Sequence, residues 1–226
     1  MTMRWLVALL LLPVACGIPR DPEGTLDRIR GGAMRVGITA NPPWTAAEGP
    51  SGVEVELAEE LARSLDARIE WVDGGHAELL TALEHREVDL AIGGFTADDP
   101  WSKEVTFTQP YFTVRTMVGI APGALPPKDL TGVRVTVEAD SEAVHVVTQN
   151  DGVPVEVESL EEAEPPVVAE EWEIRALGLQ PTDVILDEAQ HVMAVPLGEN
   201  AWLVLIERFL RSRLSRLPQL LVEHGG

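Results

Sequence analysis

Cysteine is nearly absent from this chain, in which Cys16 is the single cysteine. One thiol cannot close a disulfide within the chain, so a packed apolar core has to hold the fold together even outside the cell. The five histidines stand far apart, without the spacing of metal ligands, and we predict neither a metal site nor a cofactor. GxSxG, HExxH and a phosphate-binding glycine-rich loop are also missing, which argues against the common hydrolase and nucleotide-binding chemistries.

Positive charge is scarce as well. Seventeen Lys and Arg residues stand against 37 Asp and Glu residues, a formal net charge of −20. Such a surface repels phosphate backbones and anionic headgroups, so we exclude a nucleic-acid partner. Beyond the N-terminus no apolar run is long enough to cross a bilayer, because Glu207 and Arg208 interrupt AWLVLIERFL. We therefore expect membrane contact only through an N-terminal anchor.

The N-terminus has the pattern of an export signal. Arg4 is followed by an apolar run from Trp5 to Val14, which is too short for a membrane-spanning helix. The run ends at Cys16, and the preceding Leu-Pro-Val-Ala resembles the lipobox of bacterial lipoproteins, with Pro13 as a departure from it. We predict a signal peptide over 1–16 with lipidation at Cys16, a tether over 17–32, and location in the periplasm or at the cell surface. Ordinary cleavage, with Cys16 lost or idle, is the alternative.

Two series of strands and helices follow the N-terminal region. In the first, RVGIT precedes VEVELAEELARSL, in which Val53, Leu57, Leu61 and Leu65 recur every four residues and form one apolar helical face. IEWV, HAELLTALEHRE and VDLAIGG then continue the alternation. Strand, helix, strand, helix, strand is typical of a parallel sheet covered by helices.

The second series begins near Tyr111 and contains TMVGI, VRVTV, a helix from about Glu142 to Gln149, and VPVEV. The following segment, 159–166, has room for one or two helical turns, so this second unit is trimmed. HVMAVP predicts a further strand. ENAWLVLIERFLRSRL predicts a long amphipathic helix that ends before Pro218.

Six segments, in the order in which they occur along the chain, are similar to segments of the bacterial extracellular solute-binding proteins that serve polar amino acid transporters. They are MRVGITANPPW, GVEVELAEELARSL, ELLTALEHREVDLAIGGFT, VTFTQPYF, DLTGVRVTVEADS and MAVPLGENAWL. The resemblance implies an α/β, two-lobed periplasmic-binding-protein-like fold, with lobe 1 formed by 33–108 and 192–226 and lobe 2 by 109–191. Two interlobe crossovers would lie near 107–111 and 187–195. It also implies a monomer that encloses a small-molecule ligand and delivers it to ABC permease subunits.

Ligands of open α/β sheets bind at the loops after the carboxyl ends of the strands. Those loops are NPPW, GGFT and EADS, and the resemblance together with loop position nominates the residues Trp44, Glu54, Gly94, Phe95, Thr96, Asp140 and Ser141. We predict that Trp44 is exposed, because it follows two prolines. Simpler roles are open: Thr96 as a turn residue, Ser141 as a helix cap, and Glu54 as a charge favoured at the start of a helix.

One position departs from the family pattern. Where amino-acid-binding members carry the arginine that clamps the ligand carboxylate, this chain has Trp101, and an indole cannot replace a guanidinium fork. Lys103 and Arg115 are the alternatives that could reach the cleft instead, but neither stands at the family's position. Glu170 aligns with the acidic residue that receives the ligand's ammonium group. We therefore predict an amine or other cation held by Trp44, Trp101 and Glu170, although Trp101 packed in a loop is an equal alternative.

The sequence leaves three hypotheses about function open. The first is a substrate-binding protein of an ABC importer, without enzymatic activity. The second is a ligand sensor or a degenerate binding module, favoured by the missing arginine and the trimmed lobe. The third is a dehydratase-like enzyme on the same fold. The glutamate-rich stretch 156–173 is predicted to be a solvated face.

Overall fold

The computed structural model describes residues 20–100 and 103–225. Within them no helix is both long and apolar enough to cross a bilayer. Cys16 and Trp101 lie outside the described residues, so lipidation at Cys16 and ligand contact by Trp101 stay predictions.

The described residues form ten strands and seven α-helices. The strands are β1 Ala33–Ile38, β2 Arg68–Asp73, β3 Leu90–Ile92, β4 Val105–Phe107, β5 Phe112–Ile120, β6 Arg134–Glu138, β7 Val153–Val157, β8 Val167–Glu170, β9 Gln180–His191 and β10 Ala194–Pro196. The helices are α1 Thr25–Ile29, α2 Val53–Ser64, α3 His76–Glu84, α4 Glu142–Gln149, α5 Glu171–Ala176, α6 Asn200–Arg211 and α7 Leu217–Gly225.

Two five-stranded mixed sheets divide these strands between them. The first has the order β2-β1-β3-β10-β4, with β1 parallel to β2 and β3, and with β10 antiparallel to its neighbours. The second has the order β7-β6-β8-β5-β9, with β6 parallel to β7 and β8, and with β5 antiparallel to β8 and β9. The chain crosses between the sheets after β4 and again after β9. The α/β, two-lobed fold is confirmed; below, lobe 1 is the unit built on the first sheet and lobe 2 the unit built on the second.

The sheet of lobe 1 has an apolar cluster on each face, as the alternation of side chains along a strand requires. Leu90 and Ile92 point into the cluster that also contains the apolar faces of α2 and α6. Ala91, between them, points into the other cluster, which contains Leu79, Leu80 and Leu83 of α3. Lobe 2 has smaller clusters, one under α4 and one under α5.

Two local predictions for lobe 2 hold in the structure. The helix predicted over 142–149 is α4, whose Val146 and Val147 are buried. The predicted short connection is a single 3-10 turn, Leu160–Glu162. A longer crossover helix would need an apolar face that this stretch lacks.

The N-terminal segment differs from the predicted tether. Within 17–32, helix α1 packs on lobe 1 with Leu26 and Ile29 buried. The Asp21 carboxylate accepts the N–H groups of Leu26 at 2.9 Å and of Ala201 at 2.7 Å. Because these bonds satisfy the first turns of both α1 and α6, the chain from Asp21 onward belongs to the folded unit.

The predicted amphipathic helix is α6, which ends before Pro218 as expected, but the helix that follows it was not predicted. Helix α6 ends at Arg211, a 3-10 turn follows at Leu214–Arg216, and a further helix, α7, contains Pro218 near its start. Proline is tolerated there because the first helical N–H groups have no partner within the helix. The proline thus marks the beginning of α7 rather than a stop after α6.

Candidate functional site

The loop after β1 folds back onto the start of α2 and buries Trp44. Trp44 is only 2% exposed. Its indole stacks on the His191 ring, with ring centroids 4.0 Å apart and planes inclined by 24°. The predicted exposure of Trp44 is therefore wrong. Two prolines before a tryptophan do not keep it at the surface when the loop turns inward, and burial of the indole is the more favourable outcome. Its contact with a ligand stays a prediction.

Glu54, at the start of α2, is fully buried. Its carboxylate accepts the backbone N–H groups of Gly93 at 2.6 Å and Gly94 at 2.9 Å, and the hydroxyl of Tyr111 at 2.5 Å. Burial raises the pKa of Glu54 above its ordinary value, while these three hydrogen bonds act in the opposite direction. The carboxylate is thus turned into the protein, where it organises the loop after β3.

The glycine pair after β3 permits a backbone approach that other residues would block. Gly93 has φ 138° and Gly94 has φ 72°. A Cβ atom on Gly94 would lie 1.9 Å from Nδ2 of Asn41, whose amide donates to the Gly93 carbonyl at 3.2 Å. Positive φ favours glycine at both positions, and at Gly93 a Cβ would also lie 2.7 Å from the backbone oxygen of Thr39.

Phe95 and Thr96 continue this loop and connect it to the second crossover. Phe95 is fully buried and stacks on His76, so the structure places it in the core. Thr96 is partly exposed and forms an isolated antiparallel bridge with His191. Of the two, Thr96 is the one that has surface available for a ligand.

His191 and Tyr111 are components of this region that the sequence reasoning did not single out. His191 is 5% exposed, and its Nδ1 is the one buried side-chain nitrogen or oxygen of the described residues that has no hydrogen-bond partner. Burial lowers the pKa of His191 to about 4, so the ring is neutral at pH 7. The Tyr111 N–H donates to the His191 carbonyl at 3.0 Å, which joins the two crossovers. In the sequence, His191 is a single histidine in the predicted strand HVMAVP, and nothing around it indicates a functional role.

In lobe 2 the residues Asp140 and Ser141 lie between β6 and α4. Asp140 is exposed and has φ 59°. Ser141 occupies the N-cap of α4, yet its hydroxyl donates to the Glu138 carbonyl at 2.6 Å and makes no capping bond to the helix. The first N–H groups of α4 therefore receive no bond from the Ser141 side chain.

Glutamates surround a pocket of about 140 Å³ beside Ser141. Its lining contains the acidic residues Glu138, Glu142, Glu170 and Glu173, and no lysine or arginine is among its described lining residues. Glu138 and Glu170 are the last residues of β6 and β8, which run parallel, so their carboxylates lie at the carboxyl edge of the sheet. This is the edge at which such sheets bind ligands.

The pKa values of two of these glutamates are raised. Burial and, to a smaller extent, the negative charge of Glu170 raise the pKa of Glu173 to about 7, against a backbone hydrogen bond that lowers it. Burial also raises the pKa of Glu170, against a hydrogen bond from Trp172 Nε1. The solvated face predicted for 156–173 is found at the exposed residues Glu156, Glu158, Glu161 and Glu164, but Glu170 and Glu173 are partly buried and do not belong to it. Like charges in a half-buried pocket without a counter-charge would be stabilised by a bound cation.

Neither Arg115 nor Lys103 is among the described lining residues of this pocket. Arg115 Nε lies 2.7 Å from Glu188, and its Nη1 lies 3.8 Å from Glu171. Lys103 is exposed. Within residues 20–100 and 103–225, no group of three or more His, Cys, Asp and Glu side chains could hold a metal ion.

Proteins with similar sequences match this chain over only part of its length and over only part of their own length. The membrane-bound lytic murein transglycosylase F of Vibrio cholerae is 32% identical over 128 residues, which are 55% of this chain and 24% of that protein. The arginine-binding extracellular protein ArtP of Bacillus subtilis is 35% identical over 103 residues, 44% of this chain and 40% of ArtP. The chain thus spans less than half of these relatives.

Solved structures match most of the chain. An ancestral cationic amino acid solute-binding protein, AncCDT-1, has a TM-score of 0.69 at 20% identity, with 88% of this chain and 98% of that chain covered. A mutant of ArgBP from Thermotoga maritima has a TM-score of 0.53 at 25% identity, with 88% and 97% covered. The family model of bacterial extracellular solute-binding proteins, family 3, matches residues 34–212. The chain therefore belongs to the bacterial extracellular solute-binding proteins of family 3.

Proposed function

We propose that this protein captures a small amine or cationic solute between its two lobes, outside the cytoplasm, for an ABC importer. The observation that carries the choice of ligand is the pocket lined by Glu138, Glu142, Glu170 and Glu173, which holds negative charge without a basic partner among its described lining residues. An anionic ligand would add repulsion to a site in which Glu170 and Glu173 already have raised pKa values.

The lobe 1 part of the proposed site is the loop from Gly93 to Thr96. Its backbone is fixed by Glu54, and Thr96 is its partly exposed polar side chain. Closure of the lobes about the two crossovers would bring this loop towards the glutamate pocket. We assign Trp101 to the same site as an aromatic surface for the cation. Trp44, which is almost fully buried, is the second aromatic residue of the proposed site.

Relatives named for cationic amino acids support this ligand class. ArtP is named as arginine-binding, and ArgBP has been solved in an arginine-bound form. Arginine and lysine are therefore candidate ligands alongside simple diamines such as putrescine. Because Trp101 stands at the carboxylate-clamping position, we expect putrescine to bind at least as tightly as either amino acid.

Isothermal titration of the purified protein with putrescine, arginine and glutamate tests this function. We expect putrescine or arginine to bind with a Kd on the order of 1 μM and glutamate to give no heat of binding. Glu158→Gln is the matched control for substitutions of the pocket glutamates, because Glu158 is exposed in lobe 2 and does not line the pocket. Tight binding of glutamate, or binding of none of the three, would reject the cation proposal.

A second candidate function is a dehydratase-like enzyme. The observation that favours it is the carboxyl group of Glu173, whose pKa of about 7 suits a general acid. AncCDT-1 is described as a precursor of cyclohexadienyl dehydratase. Incubation with a cyclohexadienyl acid, followed by ultraviolet absorbance for an aromatic product, separates the two functions: product formation that Glu173→Gln abolishes would favour the enzyme.

The proposed lipid anchor would hold lobe 1 close to a membrane. Because the chain is folded from Asp21 onward, only 17–20 would remain as a tether after Cys16. Four extended residues reach about 14 Å at most. Metabolic labelling with a tagged palmitate, compared between the natural chain and Cys16→Ser, tests the anchor; equal labelling of both would reject it.

A further inference from the structure

Three segments of the chain converge on Glu54, two of them on its carboxylate and one on its backbone N–H group. The first is the proposed ligand loop, represented by the N–H groups of Gly93 and Gly94. The second is the first crossover, represented by the hydroxyl of Tyr111. The third is the loop after β1, whose Trp44 carbonyl accepts the Glu54 N–H at 2.9 Å. Glu54 has no exposed surface, so it cannot itself touch a ligand.

The same ligand loop is bonded to the second crossover. The Ala97 N–H donates to the Gln190 carbonyl, and the Val192 N–H donates to the Phe95 carbonyl, both at 2.9 Å. The Tyr111 N–H then joins the first crossover to the second through the His191 carbonyl. The loop and both hinge segments therefore form one hydrogen-bonded unit.

We propose that Glu54 is a positioning residue that couples the ligand loop Gly93–Thr96 to the interlobe hinge. It acts through the Gly93 and Gly94 amides on one side and through the Tyr111 hydroxyl on the other. A shift of the loop when a ligand binds is transmitted to the first crossover, because one buried carboxylate holds both. The alternative, that Glu54 only stabilises lobe 1, predicts no effect on the distance between the lobes.

Glu199 provides a matched control in the same lobe. It is also a buried carboxylate that accepts two backbone N–H groups, those of Glu23 at 3.3 Å and Thr25 at 3.2 Å. Its side-chain partner is Arg86, at 3.0 Å. None of these partners belongs to the ligand loop or to a crossover, so Glu199→Gln tests the stability effect alone.

Two measurements on the full chain, with Cys16→Ser as background, test the coupling. Spin labels at Glu84→Cys in lobe 1 and Gln149→Cys in lobe 2, both exposed positions, report the interlobe distance distribution by double electron–electron resonance. Hydrogen exchange followed by mass spectrometry reports the protection of the peptide that contains Gly93 and Gly94.

Glu54→Gln is expected to widen the distance distribution and to speed exchange of the Gly93 and Gly94 amides on the order of 10-fold. Tyr111→Phe removes the hydroxyl but leaves the Glu54 carboxylate bonded to the Gly93 and Gly94 N–H groups. We expect it to widen the interlobe distance distribution while these two amides stay protected from exchange. Glu199→Gln is expected to lower the melting temperature without either change.

An unchanged distance distribution in Tyr111→Phe, or an equal widening in Glu199→Gln, would overturn the coupling. Tyr111→Phe decides the matter even if Glu54→Gln does not fold. This inference rests on the proposed function only for the identity of the loop as a ligand site. Neither measurement uses a ligand, so the failure of putrescine to bind is distinguishable from failure of the coupling.

Discussion

The stability of this protein should depend on pH through His191 in a direction and amount that the structure fixes. His191 is buried against Trp44, and burial lowers its pKa from 6.5 to about 4. Between these two values the unfolded chain binds more protons than the folded protein does. The free energy of unfolding therefore rises with pH across this window: the His191 contribution is present above 6.5 and lost as the pH falls towards 4.

The size of the effect follows from the shift. A difference of about 2.5 pKa units corresponds to about 3 kcal/mol when the protonation change is complete. Between pH 7.5 and pH 5 the same linkage relation gives about 2 kcal/mol. Glu173 acts in the opposite direction, because its raised pKa gives a contribution that is present below pH 4.5 and lost as the pH rises through 7.

Urea unfolding of the natural protein and of His191→Phe at both pH values isolates the histidine, since the Glu173 contribution cancels in the difference. Phenylalanine preserves a ring against Trp44 and removes the unpartnered Nδ1. The variant should gain about 2 kcal/mol on the natural protein as the pH falls from 7.5 to 5. A difference that does not change with pH would refute the account of His191 as a neutral buried ring.

Three further substitutions test the loops and ends of the fold. Gly94→Ala should lower the free energy of unfolding by about 1 to 3 kcal/mol, because its Cβ would displace the Asn41 amide from its hydrogen bond to the Gly93 carbonyl. Gly123→Ala, with similar φ and nothing within 4 Å, should cost less. Asp21→Ala should lower the free energy of unfolding by about 1 to 2 kcal/mol, because the Asp21 carboxylate accepts N–H groups at the starts of α1 and α6. Asp27→Ala, at an exposed position, should be near neutral in the same denaturation assay. Glu173→Gln should stabilise the protein at pH 8, where the buried carboxyl is ionised, and not at pH 5.

The strands and helices of both lobes could be predicted because their apolar residues repeat at the periods of the elements. Leu57 and Leu61 fall on one face of α2, and Val146 and Val147 are the buried side of α4. Helix α7 was not predicted. Leu210, Leu214, Leu217 and Leu221 keep a helical spacing through the turn, so the apolar pattern does not show where α6 ends and α7 begins. Ion pairs of Arg213 and Arg216 with Glu60, which is distant in sequence, lie at this turn.

Individual site residues were harder to predict than the loops that carry them. The position of the ligand loop followed from strand order, yet whether Trp44 faces solvent depends on His191, about 150 residues away in the chain. The glutamates of lobe 2 have the composition of a solvated stretch. Only the pairing of β6 with β8 brings Glu138 and Glu170 to one edge, where burial raises the pKa of Glu170.

Titration calorimetry of putrescine with the natural protein and with Glu170→Gln tests the central claim most directly. The amide keeps the size of the side chain and can still accept the Trp172 hydrogen bond, but it removes the charge. We expect micromolar binding by the natural protein, a loss of about tenfold or more in Glu170→Gln, and unchanged affinity in Glu158→Gln. Equal affinity of all three proteins, or no binding by the natural protein, would contradict it.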